Sequence, residues 1–253
     1  NTAFRGFGGP QGMLICETYI EHLAKELKMD VSDVRKINMY EEGQCTPYGQ
    51  PVENNPLNRL WNEIHTKCNI QQRKERILQY NQNHKWRKRG ISIIPTKFGI
   101  NFTAKFLNQA GALVHVYTDG TVLVSHGGTE MGQGLHTKMI QVAARAFGIS
   151  VDRVHISESS TSSVPNASPT AASASSDMYG MAVLNACEQI AEKLAPYYIK
   201  LNEDSENKLN SADLEKWGDD KSFGAAVLRA YFDRVNLSAQ GFYKVPGCGY
   251  DWD

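Results

Sequence analysis

Apolar positions recur at helical spacing through the first third of the chain, alternate with a period of two through its middle, and return to helical spacing further on. The first helical pattern covers about residues 12–29, with Cys16, Ile20, Leu23 and Leu27 on one face, behind a turn rich in glycine, FRGFGGPQ. Ser32 is positioned to cap a short helix that carries Val34 and Ile37 inward and stops near Gly43. After a polar loop at 44–54, Asn55-Pro56 opens a longer helix with Leu57, Leu60, Trp61, Ile64 and Cys68 in register. The pattern resumes through 73–80 and ends in the basic run KWRKR at 85–89. At Gly90 the period changes, which predicts a joint between residues 1–89 and 90–253.

Extended patterns follow as ISIIPTKFGI, NFTAKF and ALVHVYTDGTVLVSHGG. In the last, the alternating runs Leu113 to Tyr117 and Val122 to Ser125 flank Asp119-Gly120, a dipeptide suited to a tight hairpin turn. The second run leads into SHGGTEMGQGLHT at the end or edge of a sheet, with Gly127, Gly128, Gly132 and Gly134 inside eight positions. A helix at about 134–147 turns Leu135, Met139, Val142 and Ala143 inward, with Gly148 past its end, and 154–156 reads as a short strand. Residues 159–176, SSTSSVPNASPTAASASS, read first as a low-complexity linker and alternatively as a buried, closely approached loop. A helix at 177–194 carries Met181, Leu184 and Ile190 in step, 201–220 reads as an exposed acidic insertion, 223–235 as a last helix, and LSAQGFYKVPGCGYDWD as extended. These elements predict an α+β fold of mixed sheets with packed helices.

Composition narrows the partners. With 27 basic and 27 acidic residues there is no global field to attract nucleic acid or an anionic membrane, and KWRKR reads as a solvated helix end. The five cysteines are scattered without a CxxC, which fits a reducing compartment better than a disulfide framework or a zinc site. No apolar run approaches the ~20 residues of a membrane span. The start, NTAFRGFGGP, reads like the middle of a longer chain.

Familiar catalytic patterns fail. Gly127 and Gly132 have P-loop spacing, but Gln133-Gly134 stands where lysine and a hydroxyl are required. No GxGxxG follows a strand with an acid ~20 residues on, and neither HExxH nor GxSxG occurs. Glu130 reads as a helix cap. What remains is three loops of small residues, at 2–11, 125–137 and 168–176, each before a helix. Their N–H groups and helix ends suit a large anionic ligand, and Arg5 could add bidentate recognition of an oxyanion.

Those loops carry a family resemblance. FRGFGGPQ at 4–11, GGTEMGQGLHTK at 127–138 and NASPTAASASSD at 166–177, with PTKFGINFTAKFLNQAGALVHVY at 95–117, resemble the molybdenum-cofactor domain of the xanthine dehydrogenase and aldehyde oxidase family along essentially the whole chain. The resemblance implies that residues 1–89 are the C-terminal part of a first molybdopterin-binding subdomain with a helical connection, and 90–253 the N-terminal part of a second. It implies Arg5 at the molybdenum site, Met131, Gly132 and Gln133 at the pterin and its phosphate, and Ala171, Ala172, Ser173 and Ser175 against the cofactor, with Ala172 at the metal. Neither Arg5 nor Ala172 is expected to ligate the metal directly. Phe7 and Phe102 would sandwich a purine and Thr103 would hydrogen-bond it. Phe102-Thr103 with Thr170-Ala171-Ala172 is more similar to the xanthine branch.

The implied reaction is hydroxylation of hypoxanthine and xanthine to urate on a molybdenum–molybdopterin cofactor, with electrons leaving through 2Fe–2S clusters and FAD to NAD. The family's glutamate base is expected beyond Asp253, so the chain is expected to be an internal piece, inactive alone, of a homodimeric cytoplasmic or peroxisomal enzyme. Two alternatives stay open: an aldehyde oxidase, and a non-catalytic phosphate or nucleotide module built on the glycine loop alone.

Overall fold

Helical periodicity in the first third becomes four helices, and the alternating middle becomes a sheet. A computed structural model describes residues 4–203 and 220–247 of the chain, which form two compact units, Asn1–Phe98 and Gly99–Asp253.

The first unit holds α1 (Gly9–Glu26), α2 (Val31–Ile37), α3 (Leu57–Lys67) and α4 (Ile70–Asn83). Arg35 joins α2 to α1: it is buried, and its guanidinium donates to Glu17 at 2.6 Å and to Glu21 at 3.1 Å. This contact turns the Glu17, Glu21 and Ala24 side of α1 toward α2, so Ala24 is buried while Leu23 and Leu27 are exposed, contrary to the expected face. The cap of α2 is Asp30, whose carboxylate accepts from Ser32 N at 2.8 Å and also binds Lys74. Ser32 is therefore a first-turn residue. Val34 is buried, but Ile37 points to solvent. The KWRKR run lies beyond the end of α4 and is exposed, with Arg89 stacked over Tyr80 at 3.9 Å. ISIIPTKFGI forms no strand, and NFTAKF ends in a 3-10 turn at Lys105–Leu107 rather than continuing extended.

In the second unit, β1 (Gln109–Val116), β2 (Val122–His126), β3 (Val154–Ile156) and β4 (Ser238–Lys244) form one sheet in the order β3-β2-β1-β4. β1 is antiparallel to both β2 and β4, whereas β2 and β3 are parallel because α5 (Leu135–Phe147) connects them. Ala110, Ala112, Val114 and Val116 alternate inward along β1, as one buried face requires. Over that face lies α6 (Ser175–Glu203), flanked by α5, with Met178, Ala182, Val183, Ala186, Ile190 and Leu194 buried, and α7 (Asp220–Phe232) packs against α6. Each fully buried large apolar side chain contributes about 1.5–3 kcal/mol. Phe147 and Phe223 pack at 5.2 Å and bring α5 against α7.

α6 is longer than the 177–194 pattern and runs through Pro196, and most of the expected acidic insertion, residues 204–219, lies outside the described residues. The linker reading of 159–176 is overturned: Val164, Ser168, Ala174 and Ser175 are buried. The architecture is α+β with a mixed sheet. Among the described residues no helix is long and apolar enough to cross a membrane.

Candidate functional site

The glycine loop leaves the C-terminal end of β2, the end at which βαβ units generally bind ligands. Its root is built on His126, which is buried. His126 Nδ1 accepts from Gly128 N at 3.1 Å, so its proton is on Nε2, which donates to His136 Nδ1 at 2.9 Å. Burial first, and His136 second, push the His126 imidazole down to about 4, against the attraction of Glu130.

Glycine is required here for two separate reasons. A Cβ on Gly127 would lie 2.2 Å from Ala167 Cβ, and one on Gly128 would lie 2.5 Å from a Leu135 methyl and 3.0 Å from the Tyr179 ring. These two glycines let the small-residue loop and α6 close onto the end of β2. Gly132 and Gly134 instead have φ of 87° and 77°, with nothing within 4 Å of an added Cβ. They bend the chain and leave open space outside it.

Glu130 occupies the inside of that bend. Its Oε1 accepts from Gly132 N at 2.8 Å and Gly134 N at 3.0 Å, and its Oε2 accepts from His136 N at 3.1 Å. These bonds, the one from His136 foremost, hold the carboxyl down at about 2. The helix-cap reading of Glu130 is thereby borne out. The N–H groups of Gly132, Gly134 and His136 are thus already taken by Glu130. Gln133 also folds back, accepting from Met131 N at 2.5 Å and donating to Thr129 O at 2.8 Å, while Met131 stands exposed at the tip.

The small-residue loop is stitched to the glycine loop. Thr129 N donates to Thr170 Oγ1 at 2.8 Å, Ser159 Oγ to Gly128 O at 2.9 Å, and Lys138 Nζ to Ser176 Oγ at 3.0 Å. Ala172 and Ser173 both adopt left-handed backbone, φ 55° and 56°, a strained pair for non-glycine residues. Asn101 N reaches Ala172 O at 3.0 Å and ties in the Phe102-Thr103 segment. That segment is clasped by buried Asn108, which accepts from Phe102 N at 2.9 Å and donates to Phe102 O at 2.8 Å.

Of the residues expected at a site, Phe102, Thr103, Met131, Gly132, Gln133, Ala171, Ala172, Ser173 and Ser175 all belong to the second unit. Ser175 is buried at the start of α6, Thr103 and Ser173 are exposed, and Phe102, Ala171 and Ala172 are half-buried. Arg5 and Phe7 belong to the first unit, both exposed, with Phe7 at φ 50° between Gly6 and Gly8, which are also left-handed. Sequence reasoning missed Asn108, Tyr179 and the pairing of His126 with His136. The ten-residue spacing of the histidines across a strand-to-helix turn was the available signal for the pair.

The surface of the second unit fits the cofactor that the resemblance implies. Gly132 and Gly134 leave open space beside the exposed Met131, on a loop that the Thr129–Thr170 bond joins to the loop carrying the strained Ala172 and Ser173.

Comparisons with known proteins agree with that chemistry. A family model described as molybdopterin cofactor-binding domain matches residues 63–253, and a second of the same description matches residues 1–39. The chain is 52% identical over 252 residues to xanthine dehydrogenase of Oryza sativa subsp. japonica, covering 100% of this chain and 17% of that protein. It is 53% identical over 250 residues to xanthine dehydrogenase of Dictyostelium discoideum, covering 99% of this chain and 17% of that one. The chain thus spans about a sixth of the length of these relatives. Its fold matches the crystal structure of quinoline 2-oxidoreductase from Pseudomonas putida 86 with a TM-score of 0.70 at 19% identity, over 96% of this chain and 34% of that one. The chain belongs to the molybdopterin cofactor-binding domain family.

Proposed function

We propose that the chain is the molybdopterin-binding and substrate-lining segment of a xanthine dehydrogenase, which hydroxylates hypoxanthine and xanthine to urate. The observation that carries this reading is the stitching of the glycine loop to the small-residue loop through Thr129 and Thr170, beside the open space at Gly132 and Gly134. Identity above 50% to xanthine dehydrogenases along nearly the whole chain supports it.

In this reading Met131, Gly132, Gln133, Ala171, Ala172, Ser173 and Ser175 hold the cofactor, Arg5 serves the molybdenum centre, Phe102 and Phe7 stack on the purine, and Thr103 bonds its edge. When bound, the cofactor supplies the two-electron hydroxylation chemistry. The chain's own part is to orient: Asn108 fixes the Phe102-Thr103 backbone, and the Thr129–Thr170 bond fixes the spacing of the two cofactor loops. Electrons leave through 2Fe–2S clusters and FAD to NAD elsewhere in a longer, homodimeric, cytoplasmic enzyme, which also supplies the general base.

Full-length enzyme tests this directly. Purified protein is expected to contain stoichiometric molybdenum, to release a fluorescent pterin on oxidation, and to form urate from xanthine with NAD. Oxidation of aldehydes with oxygen and no urate would instead identify an aldehyde oxidase. Tight binding of a simple nucleotide with no pterin would identify a phosphate module.

A further inference from the structure

Three backbone donors at the start of α5 converge on an acid supplied by the loop itself. Glu130 takes the N–H groups of Gly132, Gly134 and His136, all within 3.1 Å. An ionised carboxylate there meets the positive end of a thirteen-residue helix, as a bound phosphate would. Two left-handed glycines within three residues turn the N–H groups of Gly132 and Gly134 onto the same oxygen. Gln133 holds the outer side of the turn through Met131 N and Thr129 O.

We propose that Glu130 is a built-in anion: it closes the N-terminal end of α5 to phosphate and fixes the Met131–Gln133 tip in the shape that receives the cofactor. The proposal rests on the reading of this chain as molybdopterin-binding. Glu130 acts through the loop, as a positioning residue. The cofactor phosphate must then be received by donors other than these three N–H groups. Glutamine is a poor substitute. Its oxygen can serve Gly132 and Gly134, but its NH2 then faces the N–H of His136, donor against donor.

The test uses full-length enzyme carrying Glu130→Ala and Glu130→Gln, with formate as a small carboxylate able to enter the vacated position. Losing charge-assisted bonds to three donors is expected to lower retained molybdopterin in Glu130→Ala by about tenfold, with Glu130→Gln between it and the wild type. Formate at tens of millimolar is expected to restore most of it, chloride at equal ionic strength is not, and the wild type is expected to ignore formate. Inorganic phosphate is expected to bind the alanine variant and not the wild type, read by phosphorus NMR, which gives an answer even where cofactor loading fails. Full retention in Glu130→Ala, loss without recovery in formate, or phosphate bound equally by wild type and variant would each overturn the proposal. Absence of pterin from the wild type would instead overturn the reading beneath it.

Discussion

Gly241 of β4 lies against the backbone of α6 at Ala182: a Cβ on Gly241 would stand 1.9 Å from the Ala182 carbonyl oxygen and 2.8 Å from Ala186 N. No rotamer change relieves a clash with main chain. Gly241→Ala is therefore expected to lift α6 from the sheet and cost about 3 kcal/mol or more. The check is thermal unfolding followed by circular dichroism, with a fall of about 10 °C expected. Gly132→Ala meets no atom and carries only the left-handed strain of about 1–2 kcal/mol, so a loss as large as that of Gly241→Ala would contradict this account.

Acid should weaken the second unit through His126. Its folded-state value, about 4, lies below the ordinary 6.5, so the unfolded chain binds the proton more tightly. Stability is complete above pH 6.5 and declines as pH falls, with the full loss of roughly 3 kcal/mol reached near pH 4. Urea midpoints between pH 7 and 4.5 measure the decline. In His126→Gln the midpoint should be lower at neutral pH and nearly flat across that range. An unchanged slope in the variant would assign the acid sensitivity elsewhere.

Asn108→Ala strips both hydrogen-bonding partners from the Phe102 backbone. The expected cost is about 1–3 kcal/mol, and, on the function proposed above, the Michaelis constant for xanthine should rise more than the turnover number falls, since the change loosens Phe102 and Thr103. Steady-state kinetics of the full-length enzyme decide it. An unaltered Michaelis constant would separate Asn108 from substrate positioning.

Thiol labelling should follow burial. Cys45 is exposed, Cys16 and Cys68 are half-buried, and Cys187 is fully buried, with burial and Glu188 pushing its thiol well above the ordinary range. Under native conditions a maleimide reagent, read by mass spectrometry, is expected to modify Cys45 first among these four and Cys187 only as the protein unfolds. Early loss of the Cys187 thiol would show that α6 opens locally.

Much of the second unit was legible in the sequence because its signals are local. Alternation in 113–117 and 122–125 around Asp119-Gly120 marks the β1–β2 hairpin, and Gly148 does end α5. The first unit was harder. A buried Arg35 between two glutamates overrides the apolar stripe of α1, which periodicity alone cannot foresee. At the candidate site, glycine density marked the loop but not the cause. Gly127 and Gly128 answer to Leu135, to Tyr179 on α6 and to Ala167, which lies in a stretch whose composition resembled a linker. Glu130 was legible as a cap. That its carboxylate takes three donors depends on the left-handed turns at Gly132 and Gly134, which the sequence permits without requiring.

Tyr179 meets three chain segments with one side chain. Its ring lies 5.5 Å from that of His126 and would touch a Cβ on Gly128, while its hydroxyl donates to Ser168 O at 3.2 Å. The strand end, the glycine loop and the small-residue loop therefore share a single fastening near the start of α6. Amide protons in the two loops should then exchange with solvent in one concerted opening event. Release of either loop exposes both, and the pair behaves as a single cooperative unit.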